Sequence, residues 1–387
     1  MTHLRYLTAG ESHGRQLTAI LEGCPAGLAV SRERIDRELA RRQHGYGRGD
    51  RQSIERDSVD IVGGIRYGRT TGAPVALVVA NRDASNWGHV LSVDEQVEEA
   101  RAEPVLIPRP GHADLGGVLL YERDDIRDVI ERASARETAA RVACGVVARL
   151  LLEALGCLVA SHVVSIGAVR SDAALTLETV ADVERDPCRC GDSAAGVRMV
   201  KAIDAAREAG DTLGGVIEVI AFGYPPGVGT YVQGDRRLSS TLAAAVMSVP
   251  AMKGVEVGLG FAAAGLPGSQ VQDPLGHADD KGYVRASNHA GGVEGGISTG
   301  EQIVIRAAMK PIATLANPLA SVQLGTHEPV ASRYERADVC AVPAAGIVLE
   351  AVVALALADA ALDRFGGATV ADVIGAVDAY RARTRLR

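Results

Sequence analysis

Apolar positions recur at helical spacing along much of the chain. At 31–43 a serine opens the segment and Ile35 and Leu39 fall four apart, so an amphipathic helix is predicted. Ser92-Val93-Asp94-Glu95 has the capping-box pattern and predicts a short helix to about residue 101. The run 136–155 is rich in Ala, Leu and Val, and Gly156 stands where a left-handed residue ends a helix. Helices are also predicted over 193–209, stopped by Gly210, over 239–248, and over 344–365, stopped by Gly366 and Gly367. β-branched runs bounded by glycine or proline predict strands at 74–80, 158–169, 216–222 and 302–309. Helices and strands alternate, which predicts an α/β body with helices covering sheets.

The longest apolar stretch, 344–362, is interrupted by Glu350 and Asp359 and followed by Asp363. A buried or subunit-contacting helix fits it better than a membrane span. With 387 residues and 47% hydrophobic content, one domain over 1–387 with a large core is expected. The net charge of -7 supplies no general attraction to a nucleic-acid backbone, so any anion site must be built locally. The opening MTHLRYLTAG lacks a cationic lead followed by an apolar run, which points to the cytoplasm rather than secretion. Six scattered cysteines form neither a disulfide framework nor zinc pairs and are read as reduced.

Many of the 44 glycines gather in polar blocks suited to loops that bring backbone amides to a ligand. In GESHG at 10–14, His13 sits between glycines and should be accessible. Eight arginines against five acids crowd 32–56, around RRQHGYGRG at 41–49. A local anion site and a solvated face with internal salt bridges fit this cluster equally well. RPGHAD at 109–114 places His112 in a second loop, and Arg132, Ala133, Ser134 and Arg136 precede the long helix where its amides favour an anion. NHAGGVEGGISTG at 288–300 resembles a backbone surface for a flat ligand. No two of the nine histidines are spaced three or four apart on a helix, so no metal site is expected. Gly258-Leu259-Gly260 fits the loose dinucleotide pattern, but Pro267 and Gly268 cut off the helix that this fingerprint needs.

GESHG, RRQHGYGRG, RPGHAD, SARET at 134–138, NHAGGVEGGISTG and KPIAT at 310–314 resemble the motifs of the chorismate synthases, in order and over nearly the whole chain. Two positions depart from that pattern. Pro250-Ala251 stands where asparagine-alanine is more usual, and Ala337 stands where serine or histidine is commoner.

The resemblance implies a β-α-β sandwich, assembled as a homotetramer. It implies an anti 1,4-elimination of phosphate from 5-enolpyruvylshikimate 3-phosphate to chorismate, with no net redox change yet a requirement for reduced FMN. In that family the flavin lends electron density as phosphate leaves and takes the ring proton at N5. By matching positions, Ser12, Arg42, Arg48, Arg51 and Arg136 would hold the substrate, Arg42 and Arg48 also being positions associated with nicotinamide nucleotide. Arg132, Ala133, Ser134, Pro250, Ala251, Gly295, Lys310, Pro311, Ile312, Ala313, Thr314 and Arg336 would surround FMN. His13 would protonate the departing phosphate, His112 the reduced flavin, and Asp338 would assist proton handling near N5. With no appended reductase domain in view, a separate flavin reductase is the expected source of reduced FMN, with NADPH the alternative reductant. The other readings are a flavin oxidoreductase that passes hydride to a phosphorylated metabolite and an FMN-binding structural protein.

Overall fold

Strand and helix signals resolve into two antiparallel sheets with long apolar helices between them. The computed structural model describes residues 4–49, 56–94, 102–279, 282–335 and 337–385. The first sheet holds β1 (Arg5–Ala9), β2 (Gln16–Glu22), β3 (Val59–Gly63) and β4 (Val75–Ala80) in the order β1-β2-β4-β3. Leu17, Ala19 and Leu21 alternate inward from β2 and Val75, Leu77 and Val79 from β4, so one face of the sheet is buried. The second sheet holds β5 (Leu158–Ile166), β6 (Val169–Arg170), β7 (Gly215–Phe222), β8 (Met252–Val257) and β9 (Ile303–Met309), in the order β8-β9-β7-β5-β6. The predicted strand at 158–169 is broken by a turn at Gly167 into β5 and β6.

The longer helices are α1 (Arg32–Gln43), α2 (Asp114–Tyr121), α3 (Arg127–Ala133), α4 (Thr138–Ala154), α5 (Ser193–Glu208), α6 (Leu238–Met247), α7 (Val342–Phe365) and α8 (Val370–Arg385). Between the sheets, α4 packs on β2 and β4, α7 packs on β5 and β7, and the two helices pack on each other with α1 beside them. This is the β-α-β sandwich. α4 and α7 cross closely because Gly145 has no side chain; a Cβ there would sit 2.4 Å from the Cβ of Ala351. α7 is long and apolar enough to cross a membrane, but most of it is enclosed by the fold, which makes it the central core helix. The predicted 92–101 helix falls mostly outside the described residues.

At the centre of this layer lies a buried ionic network. Glu350 of α7 is fully buried and accepts hydrogen bonds from Arg149 at 2.8 Å, Arg41 at 2.9 Å, Ser161 at 2.7 Å and Arg189 at 3.1 Å. Glu38 and Glu184 complete the charge balance of the three arginines. Burial alone would raise the Glu350 carboxyl, but the three guanidiniums overcome it and hold it down to about 2. Arg41 is therefore taken up by this network and does not line the cavity described below. All six cysteines are buried and free, and burial pushes the thiols of Cys144, Cys157 and Cys188 up to about 12.

Candidate active site

The glycine loops and the strand and helix ends converge on a cavity of about 740 Å³. Ser12, His13, Arg42, Arg48, His112, Ala133, Ser134, Arg136, Pro250, Ala251, Lys310, Pro311, Ile312, Ala313, Thr314 and Asp338 all line it. Arg132 and Gly295 do not. Arg132 instead donates to the carbonyls of Thr8 and Gly10, and Gly295 forms the tight turn between the short strands 293–294 and 297–298. Arg51 and Arg336 lie outside the described residues.

His13 is delivered by the loop between β1 and β2 and meets Glu131 of α3. Its Nδ1 lies 3.0 Å from both carboxylate oxygens, and its backbone N–H donates to the same carboxylate at 2.9 Å. Burial would raise the Glu131 carboxyl, but the hydrogen bonds and charge of His13, with Arg127, hold it below the usual carboxylate range. The opposite contact of the ring is a stack on Trp87, with centroids 4.0 Å apart and planes at 22°.

His112 sits just before α2, whose first residue, Asp114, is fully buried and takes a short hydrogen bond at the His112 Nδ1. Asp114 also accepts from the backbone and guanidinium of Arg109, each at 2.9 Å. These donors outweigh burial and hold its carboxyl well below the ordinary aspartate range. An ionised Asp114 thus orients His112 through one ring nitrogen, as Glu131 does His13.

Cationic groups dominate the remaining wall. Among the described residues, Arg42, Arg48, Arg109, Arg127, Arg136, Arg333 and Lys310 line the cavity against four acids, Asp83, Glu131, Glu335 and Asp338. Arg42 reaches Thr138 at 2.9 Å and the Ala135 carbonyl at 2.8 Å, while Arg136 is bound to Asp57 at 2.6 Å and Asn81 at 2.9 Å. Burial pushes Arg42 down to about 10; Asp57 opposes this, and the nearby Arg48 and Arg136 add to it. Such crowding is relieved by an anion. Arg48 Nε and Arg127 Nε are buried N–H groups with no hydrogen-bond partner. The Lys310 ammonium, bonded to the Gly111 carbonyl, is lowered by burial and by Lys253.

Asp338 joins the 45–49 loop to this wall, accepting from the Gly49 N–H at 2.8 Å and pairing with Arg48 at 2.9 Å. The loop can lie this close because Gly47, at φ +92°, has no Cβ to meet Cys340. On the other side Pro250, Ala251, Met309, Pro311, Ile312 and Ala313 make an apolar surface. Ala251 adopts the left-handed region at φ +68°, and its carbonyl accepts the Lys310 N–H at 2.9 Å. An apolar wall facing unsatisfied guanidinium donors suits a flat, anionic cofactor and an anionic substrate, so the residues present fit FMN. No group of three or more metal-ligating side chains is found among the described residues.

Sequence reasoning missed the partners that fix the histidines. Asp114 stood inside the RPGHAD block and Glu131 directly before Arg132, but neither had a signal to tie it to a histidine. Trp87, Arg109 and Arg127 were likewise unassigned.

The chorismate synthase family model matches residues 4–362. A chorismate synthase of Geobacillus kaustophilus is 53% identical over 367 residues, covering 94% of this chain and 95% of its own. One from Syntrophotalea carbinolica is 52% identical over 383 residues, 98% of each chain. A crystal structure of chorismate synthase superposes with a TM-score of 0.81 at 39% identity, covering 100% of this chain and 99% of the other. Motif order, sandwich architecture and full-length similarity agree: the chain belongs to the chorismate synthase family.

Proposed function

We propose that this chain converts 5-enolpyruvylshikimate 3-phosphate to chorismate by anti 1,4-elimination of phosphate, as a carbon-oxygen lyase of the shikimate route to aromatic amino acids. The observation that carries the reading is one cavity with a cationic wall, an apolar wall and two histidines each oriented by an ionised carboxylate. Phosphate and the two substrate carboxylates require fixed cations, which Arg42, Arg48 and Arg51 supply, with the Ser12 hydroxyl as a neutral hydrogen-bond donor, while Arg136 braces the wall through Asp57. When bound, reduced FMN supplies transient electron density to the breaking bond and a base for the ring proton. The residues expected to hold it are Ala133, Ser134, Pro250, Ala251 and 310–314, with Arg336 as a further contact; Arg132 and Gly295, which lie outside this cavity, are assigned to the flavin by the family resemblance alone.

In this scheme His13 gives its proton to the departing phosphate. His112, held by Asp114, keeps a proton beside the flavin, and Asp338 accepts or relays the proton taken from the ring. Because Asp338 is paired with Arg48, proton handling and anion binding share one linkage. The working form is a cytoplasmic homotetramer supplied with reduced FMN by a separate flavin reductase, with NADPH the alternative reductant. Anaerobic incubation with substrate and pre-reduced FMN should yield chorismate and phosphate in equal amounts over many turnovers. Oxidation of one flavin per product, or equal turnover with oxidised FMN and no reductant, would refute the lyase.

A further inference from the structure

We propose that Glu131 is the positioning residue of the phosphate-side acid: with Trp87 it clamps the His13 ring so that only Nε2 exchanges a proton with the cavity. The inference rests on the reading of His13 as that acid, and it concerns how the ring is held. Two independent constraints meet at the imidazole. In its plane, Nδ1 is shared between both oxygens of Glu131 at 3.0 Å; across its face, the indole of Trp87, the sole tryptophan, lies 4.0 Å away. A hydrogen bond in the plane and a stack on the face together remove both side-chain rotations of a histidine. The loop is tied down as well, since the backbone N–H of His13 donates to the Glu131 carboxylate and that of Ser12 to the Glu131 carbonyl, both at 2.9 Å.

The clamp is itself braced. Trp87 donates its indole N–H to Asp83 at 3.1 Å, and the Arg127 guanidinium lies 5.5 Å from the indole centroid and 3.9 Å from Glu131. The charged groups of the clamp are therefore Glu131 and Arg127 from α3 and Asp83 from the 82–86 turn. Glu131 is 2% exposed and ionised, so it can only accept; the Nδ1 proton stays on the ring. As the carbon-oxygen bond breaks, phosphate leaves with the bonding pair and takes the Nε2 proton. The ring is left neutral, with its remaining proton on Nδ1, and is recharged from solvent.

Trp87 makes the clamp observable in the free enzyme, because an imidazole stacked on an indole quenches its emission. Wild-type emission should be weaker than that of His13→Ala, which lacks the stacked ring. In Glu131→Gln one of the two acceptor oxygens at Nδ1 is replaced by an N–H donor, so emission should move toward that of His13→Ala. Turnover should drop roughly tenfold or more, with KM changing less, as for a misaligned general acid. Emission equal to wild type in a Glu131→Gln protein of normal far-UV dichroism overturns the clamp. Should that variant not fold, Glu131→Asp keeps the charge one methylene short: turnover should fall, and normal turnover overturns the proposal. The underlying reading fails separately, if His13→Ala turns over normally while Trp87 emission still follows Glu131.

Discussion

Replacing Glu350 with glutamine tests whether the ionic network at the middle of the sandwich sets the stability of the fold. Among the described residues Glu350 is the only acid within hydrogen-bond reach of all three network arginines, and the Nε groups of Arg149 and Arg189 are already without partners. The amide keeps the shape but removes one acceptor oxygen and turns N–H groups toward guanidiniums. Glu38 and Glu184 then face the two buried cations, Arg149 and Arg189, and the half-buried Arg41 alone. Breaking a buried pair by removing one partner costs about 3–5 kcal/mol. At about 2.1 cal/mol/K of unfolding entropy per residue, 387 residues give roughly 0.8 kcal/mol/K, so Tm should fall by about 4–6 °C.

Calorimetry of both proteins at pH 7 measures this directly, and a pH series supplies a second check. The folded carboxyl, near 2, lies below the unfolded value of about 4.3. The stabilisation is therefore complete above about pH 5 and is lost as pH falls toward 2, so the gap between wild type and variant should close in acid. A Tm within about 1 °C of wild type at pH 7 would show that the network contributes nothing net, because desolvation cancels attraction.

The remaining expectations concern turnover. His13→Ala and His112→Ala should each keep the far-UV dichroism and lose roughly 10²–10⁴-fold in turnover, with substrate affinity falling less; near-normal rates would return either histidine to a structural role. Asp338→Asn keeps the acceptor for the Gly49 N–H but weakens the pairing with Arg48, so single-turnover chorismate formation at saturating FMN and substrate should slow. An unchanged single-turnover rate would remove Asp338 from the chemistry.

What the sequence made legible follows from how local each signal was. The helix at 31–43 and the strand at 302–309 carry their own caps, periods and boundaries, and both appear within a residue of the expected ends. β8 was missed because glycine interrupts Met252-Lys253-Gly254-Val255, and the structure places a register shift there. α2 was missed because Gly116 and Gly117 read as loop, although Gly117 lets the helix approach Val129. The site was legible as a set of glycine blocks but not as a mechanism of orientation. His13 and Glu131 are 118 residues apart, and nothing local links a glycine-flanked histidine to an acid on a later helix.

Arg41 and Arg42 show the same limit inside one helix turn. In sequence they form one basic pair, equally suited to a ligand or a salt-bridged face. Consecutive helical residues point about 100° apart, so one rotation of α1 must send them to different places. Arg41 enters the network around Glu350, while Arg42 reaches the start of α4 and the cavity. With Arg41 held by Glu184 and Glu350, and Glu38 of the same helix held by Arg149, α1 cannot rotate to bring Arg42 out of the wall without breaking these ion pairs. The interior charges thus do more than fill the core: they set the angle at which one of the guanidiniums lining the cavity faces it.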